Sequence, residues 1–331
     1  MSLGEFDLIS RYFTRGPVRS HDSHGVVLGI GDDAALLQVP PGAELVAAVD
    51  TIVAGRHFLE RTDAHSIGHR ALAVNLSDLA AMGATPAWAT LALTLPRADP
   101  AWLQGFASGL FSLAEQHGVA LVGGDTTAGP LTVSIQVLGT VAAGTALRRS
   151  GAQVGDLLVV TGTLGDAGAG LWLAARATPQ AQAVAAAQPI ATEALIRRFD
   201  YPLPRVAFGL AARTLASAAM DLSDGLVADA PKLAAASGLG AVIELQRLPL
   251  SPDLRSITDP AQARDWALGA GDDYELLLAV APERFPALAE AAQRLALPLT
   301  AIGELRAGSG VSWLLDGRVH VPRVAGYDHF R

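Results

Sequence analysis

The chain has 331 residues, half of them apolar but only 5% aromatic, with 32 acidic residues against 24 basic ones and a formal net charge of −8. Its length exceeds what one hydrophobic core usually serves and points to two domains, no apolar run reaches the about 18 residues of a membrane span, and no Lys/Arg block offers a face to nucleic acid. The absence of cysteine excludes a disulfide framework, a thiolate zinc site and a cysteine nucleophile, so any metal should be a hard cation held by oxygen, magnesium first.

The opening residues 1–13 place Phe6, Ile9 and Phe13 at helical spacing and predict a short amphipathic helix. They lack the basic, apolar and small-residue order of a secretory signal, so a cytoplasmic address is expected. Residues 26–30 and 43–49 read as strands, each running into an acidic turn. Asp63 caps an expected helix through Met82, with Ile67, Ala71, Val74 and Leu79 as its apolar stripe and Gly83 as its stop. Residues 88–95 alternate as a strand. Asp99-Pro100 then starts a helix that ends before Gly118. Residues 119–122 read as a short buried strand ending in Gly123-Gly124-Asp125, and residues 131–141 as a second alternating strand.

Glycines and the pair Arg148-Arg149 interrupt the periodic segments between residues 144 and 155, which places a boundary between domains at 1–145 and 146–331. The second half opens with a strand at 157–161, followed by Gly162, Gly165, Gly168 and Gly170 leading into an alanine-rich helix. Helices at 206–215, 226–236 and 283–295, strands at 241–245 and 274–281, and a hairpin turning at Asp316-Gly317 complete it.

Against this frame the acidic motifs recur: Gly29-Ile30-Gly31-Asp32-Asp33, Val49-Asp50-Thr51, Asn75-Leu76-Ser77-Asp78, Gly123-Gly124-Asp125-Thr126, Asp221-Leu222-Ser223-Asp224-Gly225 and Gly271-Asp272-Asp273-Tyr274-Glu275. Any one copy alone reads more readily as an ordinary Asx turn. As a set, Asp33, Asp50, Asp78, Asp125, Asp221 and Asp224 sit mostly beside strand or helix ends, where a scaffold can aim them at one point. Carboxylates gathered without cations would repel one another, so bound Mg2+ is expected. The segment 162–170 follows a strand and opens a helix, which suits either a phosphate cradle or close helix-to-sheet packing; it matches no P-loop or dinucleotide motif. Ser223, Thr51 and Thr126 lack a base and an orienting acid, so no nucleophilic triad is read and no side chain is assigned as a general base.

The motifs, in this order and together with Gly55-Arg56-His57-Phe58 and the closing Gly326-Tyr327-Asp328-His329-Phe330, resemble the thiamine-monophosphate kinase family over essentially the whole chain. The resemblance implies an α+β, two-domain aminoimidazole-ribonucleotide-synthetase-like fold, with an N-terminal α+β domain that dimerises through its sheet, a C-terminal α/β domain and ATP held between them. It implies transfer of the ATP γ-phosphoryl group to thiamine monophosphate by a homodimer. It makes Asp33, Asp50, Asp78, Asp125, Asp221 and Asp224 the magnesium ligands. Gly124, Asp125, Arg149 and Ser223 would contact ATP, and His57, Asp272 and Tyr327 would lie near thiamine monophosphate. Position 272 carries Asp where the family would take Glu or Asp.

The chemistry of the residues agrees. Donor and acceptor are both polyanions, so charge neutralisation and in-line positioning should supply most of the acceleration, and an ionised acceptor phosphate needs no strong base. The alternatives are another ATP-dependent synthetase of the same superfamily and a regulatory protein that binds ATP and Mg2+ without turnover.

Overall fold

The computed structural model describes residues 5–14 and 25–330; the rest of the expected first helix, residues 1–4, lies outside the described residues. The chain divides into two compact units, Met1–Leu79 with Ala84–Thr145 and Ala80–Gly83 with Ala146–Arg331.

In the first unit, α1 (Glu5–Leu8) continues as a wider π-helical turn over Ile9–Phe13, and β1 (Val26–Leu28) pairs with β2 (Leu36–Leu37). Then come β3 (Ala43–Val53), α2 (Ala64–Ala81), β4 (Thr85–Leu95), α3 (Pro100–His117), β5 (Ala120–Ala128) and β6 (Thr132–Ala142). The four long strands form one sheet in the order β3-β6-β4-β5, antiparallel except for the β4/β5 pair. Both expected helix starts are present. The Asp63 carboxylate accepts from the amide of Ser66 at 3.0 Å. That of Asp99 accepts from Ala101 at 3.0 Å, and α3 ends on a left-handed Gly118.

Helices α2 and α3 approach closely because glycine leaves room. A Cβ on Gly109 would lie 1.9 Å from the carbonyl oxygen of His65, and one on Gly68 would lie 2.1 Å from that of Phe106. Gly109→Ala is therefore expected to force the helices apart, costing about 1–3 kcal/mol in a urea titration despite alanine's better helix propensity. A variant as stable as the parent would show that the approach is not tight.

Two strands run on past their sequence readings. Residues 43–49 were expected to lead into an acidic turn at Asp50, yet β3 continues through it to Val53, paired with β6. Gly123-Gly124-Asp125 was expected to end β5 in a turn, yet the strand continues through it to Ala128, paired with β4 from Thr90 to Leu95. The glycines serve backbone approach. At Gly124, φ is +149° and a Cβ would lie 1.9 Å from the carbonyl oxygen of Leu91.

The second unit contains β7 (Leu157–Thr161), α4 (Asp166–Ala175), α5 (Pro179–Ala187), α6 (Pro189–Asp200), α7 (Val206–Ala212), β8 (Ala218–Leu222) and α8 (Leu226–Ala236). It continues with β9 (Gly240–Glu244), α9 (Pro252–Ile257), α10 (Pro260–Gly269), β10 (Glu275–Val280), α11 (Phe285–Arg294), β11 (Leu299–Arg306), β12 (Gly310–Leu315) and β13 (Arg318–His320). Its sheet runs β13-β12-β9-β11-β7-β10-β8, antiparallel except where β12 lies beside β9. Every residue of β8 and β10 is buried, so β10 reads as a continuous apolar run after its first residue. Among the described residues no helix is long and apolar enough to cross a membrane.

Candidate functional site

In the first unit, Asp33 is exposed between β1 and β2, its amide hydrogen-bonded to the side chain of Asp32 at 2.8 Å. Asp50 lies on β3. Its amide donates to Asn75 Oδ1 at 2.9 Å, while Asn75 Nδ2 donates to the carbonyl of Ala71 at 2.9 Å, so a fully buried α2 side chain fixes the helix against Asp50. Asp78, half-buried, follows Asn75 by one turn and belongs to the same helix face. His57 closes the turn after β3, where its Nδ1 accepts from the amide of Val53 at 3.0 Å. The ring proton in that arrangement is on Nε2.

The ladder sets the spacing of the strand carboxylates. Asp50 shares a row with Ile135, Leu91 and Gly124, and Asp125 occupies the next row with Ala92, Ser134 and Thr51. Two strands separate them, which puts their backbones roughly 14 Å apart at the usual inter-strand spacing. An ion bound directly at about 2.1 Å by both carboxylates would need them several ångströms closer. Asp50 and Asp125 thus do not meet at one directly bound ion. Consistent with that, no three of His, Asp or Glu among the described residues are close enough together to hold a metal ion by themselves.

In the second unit the motifs are drawn together by backbone hydrogen bonds. Asp221, 5% exposed, is the last residue but one of β8, opposite Leu276 of β10. Beyond the strand ends, the amide of Asp272 donates to the carbonyl of Ser223, that of Tyr274 to Leu222 and that of Tyr327 to Asp224, each at 2.9 Å. Asp221, Ser223, Asp224, Asp272 and Tyr327 consequently border one region. The Asp224 carboxylate is paired with Lys232 Nζ at 2.7 Å, and Lys232 also reaches Asp229 at 2.9 Å. Burial raises the Asp229 carboxyl above the usual carboxylate range, against the opposing pull of Lys232. Arg149 is exposed, next to Arg148, whose carbonyl accepts from the amide of Ala219 at 2.8 Å at the start of β8.

The glycines at 162–170 pack tightly. A Cβ on Gly162 would lie 2.1 Å from Glu275 Oε1, and one on Gly170 would lie 2.1 Å from the carbonyl oxygen of Leu195. The first amides of α4 have an occupant: Asp273 accepts from Gly165 at 2.7 Å and from Ala167 at 3.4 Å. Of the two readings of this segment, close packing is the one realised, because a buried carboxyl takes the place a phosphate would need. Burial pushes the Asp273 carboxyl up to about 8.

Beneath that turn Glu275 is fully buried and bound on three sides. Thr161 Oγ1 donates to it at 2.6 Å, Arg198 Nη2 at 3.0 Å and Arg205 Nε at 2.6 Å, with a second, shorter contact from Arg205 Nη2. Sequence reasoning missed Arg198, Arg205 and Lys232. Burial alternates across the motif, with 272 and 274 half-buried and 273 and 275 buried, which splits one acidic motif into two roles.

Comparison with known proteins fixes the family. The N-terminal domain model of AIR synthase related proteins matches residues 31–141, and the corresponding C-terminal domain model matches residues 153–315. These define a two-domain AIR-synthase-related protein. A thiamine-monophosphate kinase of Escherichia coli is 47% identical over 331 residues, covering 100% of this chain and 99% of that protein. The crystal structure of thiamine-monophosphate kinase from Stenotrophomonas maltophilia superposes with a TM-score of 0.85 at 48% identity, covering 97% of this chain and 99% of that one. A ThiL protein complexed with AMPPCP and TMP gives a TM-score of 0.76 at 31% identity, covering 99% of this chain and 97% of that one. The chain belongs to the thiamine-monophosphate kinase family of AIR synthase related proteins.

Proposed function

We propose that this chain transfers the γ-phosphoryl group of ATP to thiamine monophosphate, giving thiamine diphosphate and ADP. The observation that carries the reading is similarity along the full 331 residues to a thiamine-monophosphate kinase, joined to the hydrogen-bonded grouping of the Asp221–Asp224 motif with Asp272 and Tyr327.

Asp33, Asp50, Asp78, Asp125, Asp221 and Asp224 are the proposed Mg2+ ligands. Their donors are hard oxygens, and their spread suits an ion that takes one or two carboxylates and completes its shell with water and substrate phosphates. Bound there, Mg2+ would offset the charge of the phosphates and hold them in line. Gly124, Asp125, Arg149 and Ser223 are assigned to ATP. At Gly124 the exposed, glycine-only backbone lets a ligand approach the strand, and the exposed Arg149 guanidinium is free to turn toward a phosphate.

His57, Asp272 and Tyr327 are assigned to the acceptor. Asp272 supplies negative charge for the thiazolium and Tyr327 an exposed ring for a cation-π contact. No residue needs to remove a proton, because the acceptor oxygen is already ionised at neutral pH. The active species is proposed to be a cytoplasmic homodimer. The exposed Leu45 and Val49 on β3 support pairing through the first unit's sheet.

A coupled ADP-release assay tests the reaction. Thiamine monophosphate should stimulate ADP formation at least about tenfold above other phosphate monoesters, as recognition of the ring by placed polar groups demands. Equal stimulation by all of them would refute the substrate.

A further inference from the structure

The segment joining α10 to β10 holds a left-handed backbone that its residues do not favour. Gly271, Asp272 and Tyr274 have φ of +73°, +62° and +49°. Glycine takes this region freely and aspartate tolerates it, but a tyrosine there is a true outlier. Such strain persists only where the surroundings over-determine it, and it marks functional positions.

The surroundings here are specific. The amides of Asp272 and Tyr274 are bound to the carbonyls of Ser223 and Leu222, each at 2.9 Å. Between them the buried Asp273 carboxyl is anchored on the amide of Gly165 at 2.7 Å. Immediately after, Glu275 is locked by Thr161, Arg198 and Arg205. Both side chains that point inward are thus tied down, and the twist forced on Tyr274 returns its hydroxyl to Asp272 Oδ1 at 3.2 Å.

We infer that Tyr274 is a positioning residue for the acceptor site: its hydroxyl, held by the strained turn, orients the Asp272 carboxylate toward the cationic ring of the acceptor. The inference rests on the assignment of Asp272 to thiamine monophosphate. A fixed carboxylate makes up for the short reach of Asp at this position, where a longer side chain would find the ring by its own freedom. At 3.2 Å the orienting bond is a long one, so its strength is that of an ordinary hydrogen bond. Tyr274 touches no reacting atom, so its effect should fall on acceptor affinity, not on ATP.

The test is a double-mutant cycle of Tyr274→Phe and Asp272→Asn, with KM measured for each substrate and the thermal midpoint of each variant recorded. Asparagine tolerates the left-handed backbone at 272 and removes only the charge. Tyr274→Phe should raise the KM for thiamine monophosphate about fivefold to tenfold, the scale of an ordinary intramolecular hydrogen bond. It should leave the KM for ATP within about twofold. In the Asp272→Asn background the same change should add less than about twofold, since contacting residues acting through one group are not additive. Multiplicative effects in the double variant, an equal rise in both KM values, or an unchanged KM for thiamine monophosphate would each overturn the inference. These results are distinct from failure of the functional assignment, in which the parent enzyme itself shows no ADP formation on adding thiamine monophosphate.

Discussion

Asp125→Asn should lower kcat by about a hundredfold or more, since even changes one shell outside a metal site cost ten- to a hundredfold. The thermal midpoint should stay within about 2 °C of the parent, as expected for a surface substitution worth at most about 0.5 kcal/mol. The physical reason lies in where β5 puts the residue. Asp125 is exposed in the last ladder row but three of an edge strand, and the neighbouring Gly124 already gives β5 its close approach to β4. Its carboxylate contributes little to the fold and, under the proposed assignment, much to holding phosphate-bound Mg2+. Steady-state kinetics with saturating ATP and thiamine monophosphate, beside a calorimetric scan, check both halves. A variant with near-normal kcat would remove Asp125 from the proposed metal ligands, and one that unfolds early would make it a structural residue.

Glu275→Ala should do the opposite. It removes the carboxylate that pairs directly with both Arg198 and Arg205, whose side chains are only 19% and 18% exposed, and it strips Thr161 of its acceptor. Breaking a buried pair from one side costs about 3–5 kcal/mol, because the remaining charge stays desolvated. For a unit of this size that lowers the thermal midpoint by on the order of 10 °C. The loss is large because Glu275 joins distant pieces of the second unit: Thr161 ends β7, Arg198 lies in the last turn of α6, and Arg205 precedes α7. A fall of less than about 1 kcal/mol in urea unfolding would mean that solvent reaches and relaxes the two guanidinium groups. Together the two substitutions separate acids that serve chemistry from acids that serve the fold, although both belong to motifs that look alike in sequence.

The elements that could be read from the chain were those with local punctuation. Asp63 and Asp99-Pro100 announced α2 and α3 because a cap and a first-turn proline act within one turn of the helix they start. The strand at Leu157–Thr161 was equally legible, being short, apolar and followed by glycine. The departures came where the determining contact is remote. Gly123-Gly124 reads as a turn unless one knows that the carbonyl of Leu91 presses against it. The alanine-rich stretch resolves into α5 and α6, each opened by a proline, at Pro179 and Pro189, that composition alone did not single out. Strand β8 (Ala218–Leu222) went unread because its small residues carry no alternation, being buried on both faces.

The site was legible in the same uneven way. Each acidic motif stood out, and those at Asp221–Asp224 and Asp272 are joined by backbone hydrogen bonds. The spacing between Asp50 and Asp125 was not, because it depends on β6 and β4 being inserted between their strands. Nor was the partner of Asp224: Lys232 lies eight residues on, across a loop and two turns of α8. An ion arriving at Asp224 meets a carboxylate already paired with a cation. The glycines of 162–170 show the converse. Their pattern allowed a phosphate, and only the Asp273 carboxyl seated on the α4 amides gives that space another use.

The most direct measurement follows the phosphoryl group itself. With ATP radiolabelled in its γ-phosphoryl group, the purified protein, Mg2+ and thiamine monophosphate should yield thiamine diphosphate carrying the label in its terminal phosphate, in amounts equal to the ADP formed, and chelation of Mg2+ should stop both. Label released as inorganic phosphate, or retained in ATP while thiamine monophosphate is unchanged, would contradict the account.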